Sequence, residues 1–153
     1  MFRELRRQDR ALADEEAMEL LKSGMYGVLS INGKDGYPYG VPMHYAMIDG
    51  KIYMHSTKEA SLKAECIETN PKVSFTVIHQ LEGVKAKSIV VFGTCIKVPE
   101  RRAEVLDAMI EKFIPEFVWP QVKAGVPFAK NNITAYEISI DHLSGKMVDK
   151  PNR

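Results

Sequence analysis

Six segments of the chain alternate between apolar and polar residues or run continuously apolar, as half-buried and fully buried β-strands do. They lie at residues 26–31, 38–47, 51–56, 72–79, 88–98 and 133–140. Tight-turn dipeptides that favour β-hairpins separate several of them, namely Asn32-Gly33, Asp35-Gly36 and Asp49-Gly50. Short strands joined by tight turns predict a closed antiparallel barrel of six strands.

Three other segments carry the spacing of three and four residues that is typical of helices. They lie at residues 15–23, 58–68 and 105–113. Asp14 is predicted to cap the first helix, and Pro99 suits the first position of the third. These helices fall between groups of strands, which argues against a doubly wound parallel sheet. Residues 115–131 give no clear prediction, and the polar tail from Leu143 is expected to be mobile.

A two-residue turn at Asp49-Gly50 would fix which residues of its two strands share a face, because side chains alternate along a strand. One face would hold three cross-strand pairs, Pro42 with Thr57, His44 with His55, and Ala46 with Tyr53. The other face is nearly all apolar and is predicted to be barrel core: Val41, Met43, Tyr45, Met47, Ile52, Met54 and Ser56. Since the first face is polar and aromatic, we expect it to meet a ligand, a partner or water.

Hydroxyl and ammonium groups gather where the second strand of this hairpin passes into a helix. The residues are Ser56, Thr57, Lys58, Ser61 and Lys63. A helix N-terminus presents free N–H groups and the positive end of its dipole, which suits a phosphate group. Ordinary capping of a helix by Ser or Thr explains the same pattern, so residue chemistry alone leaves both interpretations open.

His44 and His55 are candidates for contacting a substrate or supplying a proton, since histidine titrates near neutral pH. Two histidines are too few for a closed zinc site, and we predict no metal. The alternative is that both are surface or interface residues satisfied by hydrogen bonds. Cys66 and Cys95 have no CxxC spacing and are predicted to be buried free thiols rather than a disulfide.

The 153 residues fit one domain, residues 1–153, and suffice to bury a sizeable core. Lys and Arg total 21 against 20 Asp and Glu, so the net charge of +1 gives no support for a nucleic-acid or anionic-membrane partner. No apolar run reaches the roughly 18 residues of a membrane span. No apolar stretch follows the basic N-terminus, as it would in a secretory signal. We therefore expect a cytoplasmic protein.

Six short segments, spread over nearly the whole chain, carry a family signature. They are Met1-Phe2-Arg3-Glu4-Leu5-Arg6-Arg7, Gly36-Tyr37-Pro38-Tyr39-Gly40-Val41-Pro42-Met43-His44-Tyr45, Asp49-Gly50-Lys51-Ile52-Tyr53-Met54-His55-Ser56, Asn70-Pro71-Lys72-Val73-Ser74-Phe75, Ser88-Ile89-Val90-Val91-Phe92-Gly93 and Leu143-Ser144-Gly145-Lys146. In order and spacing they resemble the nitroimidazole-resistance (Nim) proteins, which belong to the pyridoxamine 5′-phosphate oxidase-like flavoproteins. One position differs: Nim-like chains often carry Arg where this chain has Lys87, and Lys lacks the planar fork that binds phosphate bidentately.

This resemblance implies a mainly β fold with flanking helices, a six-stranded antiparallel split β-barrel. It also implies a homodimer with two FMN molecules at the subunit interface. The implied cofactor contacts are Val41, Pro42 and Met43 along the flavin ring, His55, Ser56 and Thr57 at the ribityl chain or phosphate, Ser61 and Lys63 at the phosphate, and Ser88 on an approaching strand of either subunit.

The resemblance further implies a flavin-dependent reductase or oxidase that reduces nitroaromatic drugs. A non-catalytic flavin store or sensor is one alternative, since no GxGxxG motif indicates how a nicotinamide donor would bind. A haem-binding protein with His44, His55 or His79 as axial ligand is another. Trp119 would either cover the flavin or a substrate, or anchor an irregular segment to the core.

Overall fold

Seven antiparallel strands form one curled sheet, a half-barrel, in the computed structural model, which describes residues 1–58 and 60–149. The strands are β1 (Tyr26–Asn32), β2 (Pro38–His44), β3 (Ala46–Ile48), β4 (Lys51–Thr57), β5 (Lys72–Gln80), β6 (Ala86–Lys97) and β7 (Ile133–Val148). Their order across the sheet is β2-β1-β5-β6-β7-β4-β3. The mainly β split-barrel fold is therefore confirmed, with seven strands rather than six.

The additional strand arises because the predicted strand 38–47 is interrupted at Tyr45. The side chain of Tyr45 is fully buried, and its hydroxyl donates a hydrogen bond to the carbonyl oxygen of Leu21. Before this residue β2 pairs with β1, and after it β3 pairs with β4 through the predicted turn at Asp49-Gly50. Both turn residues have positive φ, 49° and 76°, as the favoured hairpin turn requires.

The interruption changes the predicted pairing of the hairpin. The predicted pair of Ala46 with Tyr53 is confirmed. The predicted pairs of His44 with His55 and of Pro42 with Thr57 are wrong, because β2 pairs with β1 and β4 pairs with β7.

The core fills the concave side of the sheet. Its fully or nearly fully buried residues include Leu29, Ile31, Met43, Tyr45, Ile52, Met54, Phe75, Val77, Ile89, Val91, Cys95, Tyr136 and Ile138. The apolar face predicted for the hairpin thus lies in the core, with Val41 and Met47 packed at its margin. Cys66 and Cys95 are both buried and unpaired, which confirms the prediction of free thiols.

Among the described residues, five helices flank the sheet: α1 (Asp14–Ser23), α2 (Leu62–Thr69), α3 (Arg102–Phe113), α4 (Trp119–Lys123) and α5 (Val126–Ala129). Asp14 lies in the first turn of α1 and is not its cap, a position held by Ala13 without a side-chain hydrogen bond. The helix predicted at 58–68 begins only at Leu62, because Ser61 adopts an extended conformation and caps it. Pro99 begins a 3₁₀ turn that leads into α3.

Helix α3 covers the outer side of β3 and β4. Its Val105 packs with Tyr53, Val98 and Ala135 in a second buried cluster. The expectation that the Tyr53 side of the hairpin meets a ligand, a partner or water is therefore wrong at Tyr53 itself, which is covered by an amphipathic helix of the same chain. The Tyr53 hydroxyl donates to Glu137 at 2.6 Å, so its burial leaves no unsatisfied polar atom.

The C-terminal segment from Leu143, expected to be mobile, continues β7 as far as Val148. It pairs with β6 over its whole length, and the carbonyl oxygen of Gly145 accepts a hydrogen bond from the Leu12 amide at 3.0 Å. Gly145 lets α1 approach closely, since an added Cβ would lie 2.9 Å from Ala17. Among the helices in the described part of the chain, none has the length and apolar character needed to cross a bilayer.

Gly27 offers a test of packing between β1 and β5. A Cβ at this position would lie 2.1 Å from the ring of Phe75, whereas a Cβ at Gly40 on neighbouring β2 would lie 3.4 Å from Val28. We expect Gly27→Ala to lower the free energy of unfolding by roughly 1–3 kcal/mol through overpacking. Gly40→Ala should change it by less than about 1 kcal/mol. Urea denaturation measures both, and equal stability of the two variants would contradict this packing.

Candidate functional site

At Tyr45 the chain leaves β2, which pairs with β1, and enters β3, which pairs with β4, and we call this divergence the fork. It leaves an opening between two strand edges. In the described part of the chain, β2 has a strand neighbour only on its β1 side, and β4 is paired with β3 only over Lys51–Tyr53. We call the opening between residues 41–44 of β2 and residues 54–57 of β4 the seam. Free backbone N–H and C=O groups border it on both sides, and such edges commonly bind another molecule.

Lys63 lies on the core side of the seam. Its side chain is 8% exposed, and its ammonium nitrogen lies 3.8 Å from the sulfur of Met43 and 5.7 Å from the centroid of the Tyr136 ring. Within residues 1–58 and 60–149 no carboxylate pairs with it. Burial lowers the pKa of Lys63, because a cation without a partner is costly in an apolar environment. A buried ammonium with free hydrogen-bond donors indicates a site for an anion.

Hydroxyl groups border the same part of the seam. The Ser61 oxygen caps α2 by accepting from the Ala64 amide at 3.2 Å, which leaves its own hydroxyl hydrogen available. Ser56 is half-buried and lies beside the hydroxyl of Tyr136. Burial raises the pKa of Tyr136, and the hydrogen bond between Ser56 and Tyr136 opposes that rise. Thr57 is exposed at the end of β4. The structure thus brings Ser56 and Lys63 together around the ring of Tyr136.

The predicted site residues divide between the two faces of the sheet. Strand β4 pairs with β7 without a bulge from Ile52 to Thr57, so successive side chains alternate. Ser56 points with Met54 toward the core side, where Lys63 lies, whereas His55 points with Tyr53 toward α3. His55 and Ser56 therefore cannot grip one group through their side chains from the same face.

A second cavity, of about 290 Å³, lies on the α3 side of the seam, and we call it the histidine pocket. It is lined by His44, His55, Leu106, Met109, Ile110, Phe113, Ile114 and Val122. The ring of His44 lies 4.1 Å from that of Tyr26 and 4.7 Å from that of Phe113. The two histidines predicted as a pair thus share a pocket without being cross-strand neighbours.

His55 carries a buried polar atom without a partner. Its Nδ1 makes no hydrogen bond within the described part of the chain. Burial, and then the neighbouring His44 and Lys63, lower the pKa of His55, which keeps the imidazole neutral near pH 7. The described residues contain no group of three or more His, Cys, Asp or Glu that could hold a metal ion.

The pocket-lining residues of α3 and α4 were missed by the sequence prediction. The spacing of apolar residues at 105–113 predicts a helix packed on the core, and periodicity alone does not separate core contacts from pocket walls. The exposure of Val122 and the half-exposure of Leu106 are the signal, and only the structure provides it. Trp119 donates its indole N–H to the Ile114 carbonyl at 2.8 Å, as expected of an aromatic that anchors this segment.

Two other predicted residues lie outside the seam of this chain. Lys58 is exposed and borders a small cavity with Lys97 and Arg102. Cys95 marks the part of β6 nearest Lys63, because the Lys63 charge opposes the rise that burial causes in the pKa of Cys95. Ser88 lies seven residues from Cys95 along β6, a separation of roughly 23 Å. Next to Ser88, Lys87 pairs with Glu16 of α1 at 2.6 Å.

The convex face of the sheet carries two rows of residues almost without charge. One row crosses the sheet as Pro42, Val28, Thr76, Val90 and Ser144, and the other as Gly40, Ser30, Ser74, Phe92 and His142. Val28 and Phe92 are each about two-fifths exposed, at 40% and 42%. An exposed face of this composition is typical of an interface. Strand β2 belongs both to this face and to the seam.

Comparison with known proteins gives one family match. The profile of the pyridoxamine 5′-phosphate oxidase family matches residues 13–147. No curated protein matches the chain.

Solved structures share the fold over most of the chain. An FAD-binding protein from Mesorhizobium loti is 27% identical, with a TM-score of 0.68 over 92% of this chain and 98% of that one. A proposed 5-nitroimidazole antibiotic resistance protein from Bacteroides thetaiotaomicron is 20% identical, with a TM-score of 0.73 over 90% and 86%. The flavocytochrome Anf3 from Azotobacter vinelandii is 16% identical, with a TM-score of 0.78 over 97% and 73%.

The ammonium of Lys63, which has no carboxylate partner among the described residues, should lower stability in the ligand-free protein and favour binding of an anion. We expect Lys63→Met to raise the free energy of unfolding of the ligand-free protein by roughly 1–3 kcal/mol, because it removes an unpartnered buried charge and keeps most of the volume. The matched change Lys85→Met, at an exposed position, should leave stability within about 0.5 kcal/mol of the parent. Urea denaturation without added ligand measures both. A clear loss of stability in Lys63→Met would contradict the assignment.

Proposed function

The chain belongs to the pyridoxamine 5′-phosphate oxidase family, and from that premise we propose that it binds FMN in the seam and acts as a flavin-dependent oxidoreductase. The observation that carries this proposal is the buried ammonium of Lys63, which has no carboxylate partner among the described residues. A flavin phosphate would supply the missing negative charge. Charge-assisted hydrogen bonds from an ammonium to a phosphate are stronger than those between neutral groups.

The phosphate end of the cofactor would lie between Lys63, Ser56 and Ser61. Lys63 supplies positive charge, and the two hydroxyls supply donors beside it. The first N–H groups of α2 add the positive end of a helix dipole. Thr57 and Lys58 would border the more exposed side of the phosphate. The burial of Lys63 favours a phosphate site over ordinary capping of α2 by Ser61, because a cap alone does not explain a buried ammonium.

The flavin ring would lie along the free edge of β2. Val41, Pro42 and Met43 border the seam there, and the Pro42 carbonyl points away from β1, because Pro42 and Val28 form a pair without backbone hydrogen bonds, so it offers a free acceptor. Bound FMN would supply the redox chemistry, and the chain would supply orientation and electrostatics. His44 and His55 lie on the other side of the seam, so we assign them to substrate contact rather than to the phosphate.

The proposal includes a homodimer in which the convex faces of two copies pack together. The uncharged rows through Val28, Thr76 and Val90 support it, because burying them leaves no unpaired charge. Since β2 borders both the seam and this face, a flavin in the seam would adjoin the interface. Ser88, which lies on the convex face away from its own seam, would then be placed to approach the cofactor of the partner.

The solved relatives support a flavin and leave the reaction open. One relative is named as FAD-binding and another as a nitroimidazole resistance protein, which favours flavin binding and a nitroaromatic substrate here. A flavocytochrome among them, together with the unpartnered Nδ1 of His55, supports haem binding as a second candidate. His79 is a weaker axial ligand, because its Nε2 lies 2.8 Å from the carbonyl oxygen of Leu20.

Absorption spectroscopy and flavin titration test the cofactor. We expect flavin bands in the purified protein or after FMN is added, and a higher thermal midpoint with FMN, since a ligand bound by the native state stabilises it. Lys63→Met should weaken FMN binding by about 10-fold to 100-fold, the equivalent of one charge-assisted hydrogen bond. Lys85→Met should bind as the parent does. A Soret band would favour haem, and unchanged FMN affinity in Lys63→Met would refute the site.

Steady-state consumption of NADH and NADPH, with a nitroaromatic acceptor present, separates an oxidoreductase from a flavin store. The oxidoreductase hypothesis expects turnover that depends on bound FMN. If protein that holds FMN shows no turnover with either NADH or NADPH, that result would favour the non-catalytic alternative.

The dimer is tested by light scattering coupled to size exclusion. We expect the mass of two chains for the parent and of one chain for Val90→Asp, because the substitution buries a carboxylate in the proposed interface. Phe117→Asp introduces the same charge at a residue that is 84% exposed in the 3₁₀ turn after α3, and this variant should remain dimeric. A dimeric Val90→Asp variant, or a monomeric parent, would contradict the interface.

A further inference from the structure

The histidine pocket has a composition that flavin binding in the seam does not explain. It lies on the α3 side of β4, whereas Lys63 and Ser56 lie on the core side. Six of its lining residues are apolar, and five of these lie on α3 or directly after it. We propose that this pocket binds the second substrate of the proposed oxidoreductase, and that it accepts uncharged aromatic rings while rejecting anionic ones. This inference rests on the proposed function in two respects: the ligand is called a substrate, and Lys63 is assigned to the flavin phosphate. The apolar pocket itself does not depend on it.

Size and lining favour a small planar ring. A cavity of about 290 Å³ is at the lower end of ligand pockets, so it fits one or two fused rings rather than a nucleotide. Phe113 and His44 meet at 62° and 4.7 Å, which leaves ring faces and edges for an aromatic ligand. Met109 and Ile110 are buried beneath, and Leu106 and Val122 form the more exposed rim.

The Nδ1 of His55, which has no hydrogen-bond partner among the described residues, gives the pocket one specific polar contact. A buried polar atom without a hydrogen bond is costly, and a ligand that supplies the partner recovers that cost. Because the imidazole is neutral, it offers one donor and one acceptor and no positive charge. The ligand would therefore carry a nitro, carbonyl or amide group rather than a carboxylate at this end.

We expect the pocket to reject anions because two neighbouring cations, Lys112 and Lys63, are both unavailable to a ligand inside it. Lys112, on α3, donates to the carbonyl oxygens of Gly24 and Tyr45, the latter at 2.9 Å, so its ammonium is already occupied. Lys63 lies on the core side against Met43 and is assigned to the flavin phosphate. An anionic group in the pocket would lose its hydration without gaining a partner. This excludes pyridoxamine 5′-phosphate itself as a good ligand.

A matched pair of probes tests the selectivity. 4-Nitrobenzamide and 4-nitrobenzoate have nearly the same shape, and only the second is charged. Calorimetric titration of the FMN-loaded protein should give an affinity at least about tenfold higher for the amide. Pyridoxamine 5′-phosphate should bind no better than the benzoate. Equal or tighter binding of either anion would overturn the proposal.

Substitutions at the pocket rim test the location. Leu106→Glu should weaken binding of 4-nitrobenzamide by about tenfold or more, and Leu106→Lys should reverse the preference toward 4-nitrobenzoate. Val84→Glu, at an exposed loop residue, should bind both probes as the parent does. If Leu106→Glu binds the amide unchanged, the pocket is not the site.

The same titrations distinguish failure of the inference from failure of the proposed function. Protein that holds no flavin, yet binds 4-nitrobenzamide selectively and loses it in Leu106→Glu, would keep the pocket and refute the flavin proposal. Protein that holds FMN but binds the two probes equally would keep the flavin and refute the pocket.

Discussion

The position of the proposed flavin site depends on the fork at Tyr45, where β2 and β3 diverge. Its hydroxyl is tied to the Leu21 carbonyl, its own carbonyl accepts from Lys112 at 2.9 Å, and its ring packs edge-on against Phe75 at 5.0 Å. These contacts join α1, α3 and the core at one residue. Because Tyr45 is fixed, β2 turns toward β1 while β3 continues the hairpin with β4. The seam is the space that this divergence leaves.

The unpaired strand edges and the buried Lys63 at the seam lower the stability of the ligand-free fold and favour binding of a ligand. A barrel closed by β2 and β4 would have no unpaired edges, and an apolar residue in place of Lys63 would pack there at lower cost. The chain instead keeps an ammonium at 8% exposure beside a thioether and a phenol ring. Instability of this kind is common at functional sites, where a ligand supplies what the protein lacks. The unpartnered Nδ1 of His55 is a second, smaller example on the other side of β4.

Much of the fold followed from local pattern. The alternation of apolar residues located every strand except the division at Tyr45, and Asp49-Gly50 set the pairing of Ala46 with Tyr53. The division itself depends on a contact with Leu21, 24 residues earlier, and no local pattern encodes such a contact. The extension of β7 to Val148 likewise depends on pairing with β6, since Leu143 to Val148 lack the alternation of apolar and polar residues that predicts a strand. The resemblance named Lys63 and Ser56, which lie near the same ring of Tyr136, but only the fold separates His55 from Ser56 and adds the pocket under α3.

The central claim is that Lys63 holds the phosphate of a flavin in the seam. A crystal structure of the protein with FMN bound tests it most directly. The account predicts a phosphate oxygen at about 2.7–2.9 Å from the Lys63 nitrogen, with the flavin ring along β2 between Val41 and Met43. A flavin bound elsewhere, with the Lys63 ammonium still lying against Met43 and unpaired, would contradict it.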